Sequence, residues 1–225
     1  MKLVLFDVDG TLVDSQNIIV AALQMTFAAH GLQPPSRERA LSIVGLSLAE
    51  AFVALAGPKA PIASLVATYK DVSVTLRRDP AHAEPLFPGA AECIERLRRC
   101  EGVLLGVATG NSRRGVARII DSFGWHGAFA SIQTADDAPS KPHPAMILQA
   151  MRETGVAPHE TVMIGDSSYD MAMARAAGVL PIGVSWGFQP VSALIEAGAG
   201  PIVNSYAELE DVLQEFLDRP SQISA

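Results

Sequence analysis

The segment KLVLFDVDGT, residues 2–11, places four apolar residues directly before two aspartates, Asp7 and Asp9. A short apolar run that ends in a turn is typical of a buried strand. Ligands of open parallel sheets bind beyond the carboxyl ends of the strands, which is where these two carboxylates are expected. Gly10 permits the sharp turn that would bring them around one centre. Taken alone, the segment also fits a polar Asp-Gly turn with no chemical role.

The rest of the chain extends this first strand, Leu3–Phe6, into a repeating pattern of apolar runs and helical stretches. Such alternation predicts an α/β fold with a doubly wound, Rossmann-like parallel sheet. The run GVLLGVA, residues 102–108, is apolar at both odd and even positions, as expected of a strand covered on both faces. The further predicted strands are Val103–Ala108, Phe129–Ile132, Thr161–Ile164, Leu180–Val184 and Pro201–Val203.

A strand-free insert of about 65 residues between Asp14 and Pro80 interrupts the pattern, and it is too long for the usual crossover. Ser47 and Glu50 predict a capping box at the start of a helix that ends at Gly57. We therefore expect a catalytic core from residues 1–13 and 83–225 and a helical cap domain at 14–82. Extra packing on the sheet is the alternative, and the tail from Pro220 is expected to fray. Two helical faces are predicted in the insert, Ile19, Leu23, Thr26 and Phe27, and then Leu65, Tyr69, Val72 and Leu76.

Composition narrows the classes of function. The 225 residues are 49% hydrophobic and 18% charged, with a formal net charge of −7. A chain of this charge repels nucleic acid and anionic membranes, so neither is an expected partner. The two cysteines, Cys93 and Cys100, predict neither a disulfide framework nor a zinc site. With no apparent signal peptide or membrane span, the sequence predicts a cytoplasmic protein, and it gives no indication of oligomeric state.

Three further predicted strand ends carry polar groups. Thr109, Gly110 and Asn111 combine a hydroxyl, a free backbone N–H and a helix start, which together suit an anion. Lys141 lies in a later strand-to-helix loop, and the segment GDSSYD, residues 165–170, supplies two acids suited to a hard cation. Each has a simpler interpretation: helix capping for Asn111 and the acids, and a solvated charge for Lys141.

Taken in order, the segments DVDGT, ATGNS, SKPHP and GDSSYD resemble the four motifs of the haloacid dehalogenase-like hydrolases. The resemblance implies that Asp7 attacks phosphorus to form an aspartyl-phosphate, while Asp9 acts as general acid and then base. It also implies a helical cap after the first motif. The residues that it implies for phosphate binding are Thr11, Thr109, Gly110, Asn111 and Lys141, of which Thr109 and Lys141 would also offset the charge that grows in the reaction.

The same resemblance implies a Mg²⁺ cofactor. Asp7, the backbone carbonyl of Asp9, and Asp166 would bind the ion, and Asp170 would support it from nearby. A bound cation would let the Asp7 carboxylate approach an anionic phosphate group. No Cys or His stands among these residues, which favours magnesium over zinc.

Details of the motifs favour one branch of the family. The dehalogenases lack the second aspartate, Asp9, and the two cap lysines, Lys59 and Lys70, stand in no recognisable phosphonatase context. Sugar phosphomutases carry basic residues where this chain has the apolar segment IVGLSL, residues 43–48, and a histidine where it has Ile19.

The segment IVGLSL is similar to that of the phosphoglycolate phosphatases, so Gly45 and Leu46 are expected to contact the substrate. We predict a phosphatase for a small phosphorylated metabolite. A sugar phosphomutase of the β-phosphoglucomutase type and a catalytically inactive binding module are the alternatives, and the sequence leaves the substrate open.

Overall fold

The computed structural model describes residues 1–219, so the expected fraying of the tail from Pro220 lies outside the described residues. Its strands form one parallel sheet in the order β3-β2-β1-β4-β5-β6. The strand of the first motif, β1, lies between β2 and β4. This arrangement confirms the predicted α/β fold with a doubly wound parallel sheet. The strands are β1 (Lys2–Phe6), β2 (Val103–Ala108), β3 (Ser131–Gln133), β4 (Thr161–Gly165), β5 (Leu180–Val184) and β6 (Ile202–Val203).

Five α-helices lie between β1 and β2, and the first four form the helical cap that was predicted after the first strand. These four are α1 (Gln16–Ala29), α2 (Arg37–Leu41), α3 (Leu48–Ala56) and α4 (Ile62–Leu76). No helix among residues 1–219 has the length and apolarity needed to cross a membrane. The helices of the core are α5 (Ala90–Leu97), α6 (Arg113–Phe123), α7 (Ala145–Thr154), α8 (Ser168–Ala177), α9 (Val191–Glu196) and α10 (Tyr206–Leu217).

The central strand β1 is buried on both faces, as its continuous apolar sequence predicts. Because side chains alternate along a strand, Val4 and Phe6 pack with α5, α6 and α10. Leu3 and Leu5 point to the other face and pack with α7 and α8. The two helical layers therefore hold the first motif rigidly at the carboxyl end of β1.

The third strand differs from its predicted bounds, Phe129–Ile132. The structure places β3 at Ser131–Gln133, two residues later at its start. Phe129 packs edge-on against Trp125, with ring centroids 5.9 Å apart, and so belongs to the preceding turn. Phe129 is apolar, but that alone does not show whether a residue packs in a turn or belongs to the sheet.

The cap has its own hydrophobic core, which confirms part of the predicted helical faces. Phe52 is fully buried, and its ring centroid lies 6.1 Å from that of Phe27 and 6.0 Å from that of Tyr69. Leu23, Phe27 and Leu65 are buried as predicted, whereas Ile19 is only partly buried. This small core packs the four cap helices around one aromatic centre.

The predicted capping box of α3 is only half formed. Ser47 Oγ accepts a hydrogen bond from the backbone N–H of Glu50 at 3.4 Å, as expected. The Ser47 N–H, however, donates to Ser140 Oγ in the core at 2.8 Å, so it is not the partner of the Glu50 side chain. A contact between the cap and the core replaces the second half of the box.

Two linkers join the cap to the core, and they pair with each other. Val13 and Leu86 form an antiparallel bridge, and Asp14 N–H donates to Pro85 O at 2.8 Å. Glu84, in the second linker, forms salt bridges with Arg77 at the end of α4 and with Arg118 of α6. The predicted domain division, a core of residues 1–13 and 83–225 and a cap of residues 14–82, stays a prediction. Only the isolated parts would show whether each folds by itself.

Truncation of the aromatic centre of the cap tests how much it contributes to stability. Phe52→Ala should lower the free energy of unfolding by about 3–5 kcal/mol, because it removes a fully buried ring. Met25→Ala is the control, since Met25 lies 47% exposed on α1 and should change stability by less than about 0.5 kcal/mol. Urea denaturation followed by circular dichroism measures both, and equal small effects would contradict a packed cap core.

Candidate active site

The four sequence motifs meet at the carboxyl edge of the sheet. Lys141 is the centre of the cluster: its Nζ donates to Asp7 Oδ1 at 2.8 Å and to Asp170 Oδ1 at 2.5 Å. The lysine and both aspartates are 1% exposed or less. Because a charge this deep is costly unless paired, the ion pairs require the loop that carries Lys141 to lie against β1 and β4. The solvated-charge interpretation of Lys141 is therefore wrong.

Electrostatics at this cluster are dominated by burial. Burial raises the pKa of Asp7 to about 7, with the nearby Lys141 ammonium lowering it and Asp170 raising it further. For Lys141 burial lowers the pKa, but the attraction of the Asp170 and Asp7 carboxylates outweighs it and raises the pKa overall. Lys141 therefore stays positively charged and holds both carboxylates in place.

Asp166 lies beside this pair, and two glycines make room for it. Its Oδ2 accepts the Phe188 N–H at 2.7 Å. A Cβ on Gly10, where φ is +90°, would lie 2.2 Å from Asp166 Oδ2, and a Cβ on Gly187 would lie 2.1 Å from Asp166 Cβ. Burial, together with the charges of Asp7 and Asp170, raises the pKa of Asp166 well above its ordinary value. The site thus concentrates negative charge that no neighbouring side chain fully offsets.

Asp170 is held differently. Its Oδ2 accepts both the backbone N–H of Ser167, at 3.1 Å, and the Ser167 hydroxyl, at 2.6 Å, which completes a capping box at the start of α8. Its other oxygen accepts from Lys141. With both oxygens engaged, Asp170 anchors Lys141 and the start of α8. Its support of a metal ion stays a prediction.

The residues fit a divalent cation. Asp7, Asp166 and Asp170 each offer a carboxylate oxygen, and these oxygens lie within 4.8 Å of one another. Asp7 Oδ2 is buried and has no hydrogen-bond partner. When all three acids are ionised, Lys141 leaves two negative charges in a buried space. Oxygen-only donors with this charge suit a hard ion such as Mg²⁺.

Asp9 stands apart from the lysine and has two neutral partners. Ser15 Oγ donates to its Oδ1 at 2.7 Å, and Asn111 Nδ2 donates to its Oδ2 at 3.0 Å. Burial raises the pKa of Asp9, and the hydrogen bond from Ser15 opposes that rise. A carboxyl group whose pKa is raised in this way suits the donation of a proton.

Two residues that the sequence predicts to bind phosphate turn their side chains elsewhere. The Thr11 hydroxyl donates to Asp166 Oδ1 at 3.3 Å, and the Asn111 amide contacts Asp9. Asn111 is not the helix cap either, because Ser112 Oγ accepts the Gly115 N–H and caps α6. For Thr11 and Asn111, direct contact with phosphate through the side chain stays a prediction.

Thr109 is buried beside the carboxylate cluster, and its contact with phosphate stays a prediction. It is 1% exposed at the end of β2, and its Oγ1 accepts the Asn111 backbone N–H at 3.2 Å. Gly110 follows it and is covered by the cap: a Cβ there would lie 2.4 Å from Leu46 O and 2.5 Å from Gly45 O.

The cap segment therefore lies directly on the core loops. A Cβ on Gly45 would lie 2.9 Å from Ser167 Oγ, and the Ser47 N–H is bound by Ser140. Gln189 Nε2 donates to Ser42 O at 3.1 Å and completes the contact. Gly45 and Leu46 are thus close to the predicted phosphate site, with no basic residue between positions 43 and 48.

Several residues of the site were missed by sequence reasoning. Ser140 and Ser167 stand beside predicted motif residues, whereas Ser15 is recognisable from sequence only as a residue before a helix. The loop after β5, with Phe188 and Gln189, contacts both Asp166 and the cap. Its position at a fifth strand end on the same edge of the sheet was a signal that could have found it.

Comparison with known proteins agrees with this geometry. A family model described as haloacid dehalogenase-like hydrolase matches residues 4–184. The phosphoglycolate phosphatase of Rhodospirillum rubrum is 33% identical over 223 residues, which cover 94% of this chain and 90% of the relative. The pyrophosphatase PpaX of Bacillus pumilus is 31% identical over 198 residues, which cover 86% and 87%.

The fold is also that of solved relatives. The crystal structure of a hydrolase from Pseudomonas syringae superposes with a TM-score of 0.84 at 26% sequence identity, covering 96% of this chain and 99% of that one. The motif cluster, the helical cap and these matches agree. The chain belongs to the haloacid dehalogenase-like hydrolases, in the branch that resembles the phosphoglycolate phosphatases.

Proposed function

We propose that this chain is a Mg²⁺-dependent phosphatase that hydrolyses a small phosphate monoester through an aspartyl-phosphate on Asp7. One observation carries the proposal: a buried lysine is bound to the expected nucleophile at the sheet edge where three carboxylates meet. With a bound divalent cation to offset its negative charge, such a centre suits a phosphoryl group that passes from one oxygen to another. Curated relatives named as phosphatases support the same reaction class.

In the first step a carboxylate oxygen of Asp7 forms a bond to phosphorus, and the bond from phosphorus to the leaving oxygen breaks. The leaving oxygen keeps the electron pair and takes the proton from Asp9. Lys141 and Thr109 contact the phosphoryl oxygens and offset their growing charge. Asp7, the Asp9 carbonyl and Asp166 would hold Mg²⁺, whose positive charge would lessen the repulsion between carboxylate and phosphate.

In the second step Asp9, now ionised, takes a proton from a water molecule, whose oxygen attacks phosphorus and releases Asp7. The contacts of the cap with Gly110 and Ser140 support the exclusion of bulk water during the first step. Asp9 must be protonated when it acts as the acid and ionised when it acts as the base. Its neutral neighbours Ser15 and Asn111 tolerate both charge states.

The cap supports a substrate class. The segment 43–48 brings the backbone carbonyls of Gly45 and Leu46 next to Gly110 and carries no positive charge, which supports a small leaving group without a second phosphate. This is the reason for preferring a phosphoglycolate-like phosphatase to a sugar phosphomutase. Release of phosphate from a panel of esters, including phosphoglycolate, pyrophosphate and hexose phosphates, separates these reactions, and no release at all would indicate an inactive binding module.

Removal of the metal tests the cofactor. Exhaustive chelation should abolish phosphate release, and added Mg²⁺ should restore it. Mg²⁺ at about 100 times its dissociation constant should also stabilise the fold by about 2.7 kcal/mol, which a rise in Tm measures without turnover. Asp166→Asn should lose most of that rise, because it removes a charged ligand. Full activity after chelation would contradict the proposal.

Substitution of the two motif aspartates tests their roles. Asp7→Asn should reduce turnover to background, since an amide cannot attack phosphorus, and Asp9→Asn should lower it by about 10²–10⁴-fold. Asp71→Asn is the matched control, because Asp71 is exposed on α4 and should leave turnover unchanged. Mass spectrometry of the acid-quenched enzyme should find the phosphoryl group on Asp7, and a label on another residue would exclude the proposed nucleophile.

Substitution of Leu46 tests whether the cap reads the leaving group. Leu46→Arg should change the ranking of phosphate esters by kcat/KM far more than the rate on acetyl phosphate, because it puts charge into an apolar segment. Val74→Arg, on an exposed part of α4, should leave the ranking unchanged. Equal losses on all substrates would make Leu46 a packing residue, and no change would place the segment outside the site.

A further inference from the structure

The amide of Asn111 has only one possible orientation. Ser112 N–H donates to Asn111 Oδ1 at 2.8 Å, so the oxygen of the amide must face that backbone group. The nitrogen then faces Asp9 and donates to Asp9 Oδ2 at 3.0 Å. Because an amide nitrogen has no acceptor capacity, this contact cannot be reversed by a change of protonation.

The other oxygen of the Asp9 carboxyl is held by Ser15. Ser15 Oγ donates to Asp9 Oδ1 at 2.7 Å, while Asn111 donates to Oδ2. A carboxyl group that accepts a hydrogen bond at each oxygen has a fixed plane. Loss of the bond from Asn111 would leave the group held at Oδ1 alone.

Gly115 makes the orientation of Asn111 possible. It lies on α6 one turn after Asn111, and a Cβ at this position would lie 2.1 Å from Asn111 Oδ1 and 2.8 Å from its Cγ. Any side chain at 115 would displace the amide, which is the end of a flexible side chain and would move first. The backbone N–H of Gly115 binds Ser112 Oγ, so the turn itself is anchored independently of the amide.

We propose that Asn111 and Gly115 are positioning residues that fix the orientation of the Asp9 carboxyl group. Asn111 acts by its hydrogen bond, and Gly115 acts by leaving space for it. The inference rests on the proposed phosphatase reaction. In that reaction the O–H bond of the Asp9 carboxyl breaks as an O–H bond forms on the leaving oxygen, and Asp9 is left as a carboxylate.

Leaving groups of different basicity separate this role from a structural one. An alkyl phosphate needs the proton as its bond to phosphorus breaks, whereas p-nitrophenyl phosphate leaves as a stable anion. Since kcat/KM reports the steps up to release of the leaving group, Gly115→Ala and Asn111→Ala should each lower it about 10- to 100-fold for alkyl phosphates. The loss on p-nitrophenyl phosphate should be less than about threefold in both variants.

The stability of Gly115→Ala distinguishes displacement of the amide from damage to the fold. Alanine favours a helix interior over glycine, so this variant should keep a Tm at least equal to that of the parent. Ala117→Gly is the matched control, because Ala117 is exposed on the same helix. It should lower helix stability and leave the ratio of alkyl to p-nitrophenyl kcat/KM unchanged.

The double variant completes the experiment. With Asn111 already alanine, Gly115→Ala should cause no further loss, because the group that it displaces is gone. Two results would overturn the inference: losses of kcat/KM that add in the double variant, or losses that are equal for the alkyl and p-nitrophenyl substrates. The proposed function would still stand if the loss in Asp9→Asn depended on the leaving group. If the parent released phosphate from no ester, or Asp9→Asn lost activity equally on both, the proposed function would fail and this inference with it.

Discussion

The ion pairs of Lys141 are the constraint on which the rest of the structure depends. A lysine with no exposed surface needs anionic partners, and it finds them at the ends of two strands, as Asp7 after β1 and Asp170 in α8 after β4. Those strands are neighbours because β1 lies between β2 and β4. The strand order thus brings the partners together, and the lysine in return fixes the loop before α7 over the edge of the sheet. Loss of Lys141 would leave both of these carboxylates buried without their cationic partner.

The same loop also receives the cap. Ser140 precedes the lysine and binds Ser47 of the cap, so the residue that holds the charged centre and the residue that holds the cap are adjacent in sequence. Gly110 and Ser167 complete the docking surface from the ends of β2 and β4. The cap therefore contacts the loops that carry the candidate site, together with Gln189 of the loop after β5.

Sequence reasoning succeeded where signals are local and regular. Apolar runs identified every strand of the sheet within residues 1–219, and polar residues at strand ends identified Asp7, Thr109, Lys141 and Asp166. It did not specify the hydrogen-bond partner where a side chain chooses between partners distant in sequence. Whether Thr11 faces phosphate or Asp166, and whether Asn111 caps a helix or binds Asp9, depends on residues about 100 or more positions away. The half-formed capping box has the same origin, since a tertiary contact with Ser140 replaced the local one.

The paired linkers limit how the cap can move. Val13 bridges Leu86, Asp14 binds Pro85, and Phe87 N–H donates to Leu12 O at 3.0 Å, so the two connections form one short ladder. Two linkers joined in this way cannot move independently of each other without the loss of these hydrogen bonds. The motion that preserves them is rotation of the whole cap about a single axis along the ladder, like a door. Glu84, bonded to Arg77 on one side and Arg118 on the other, lies beside that axis, where rotation changes distances least. Its ion pairs can therefore persist through a rotation that separates Gly45 from Gly110. The rotation of the cap is then restrained both at the linkers and at the contact of Gly45 with Gly110.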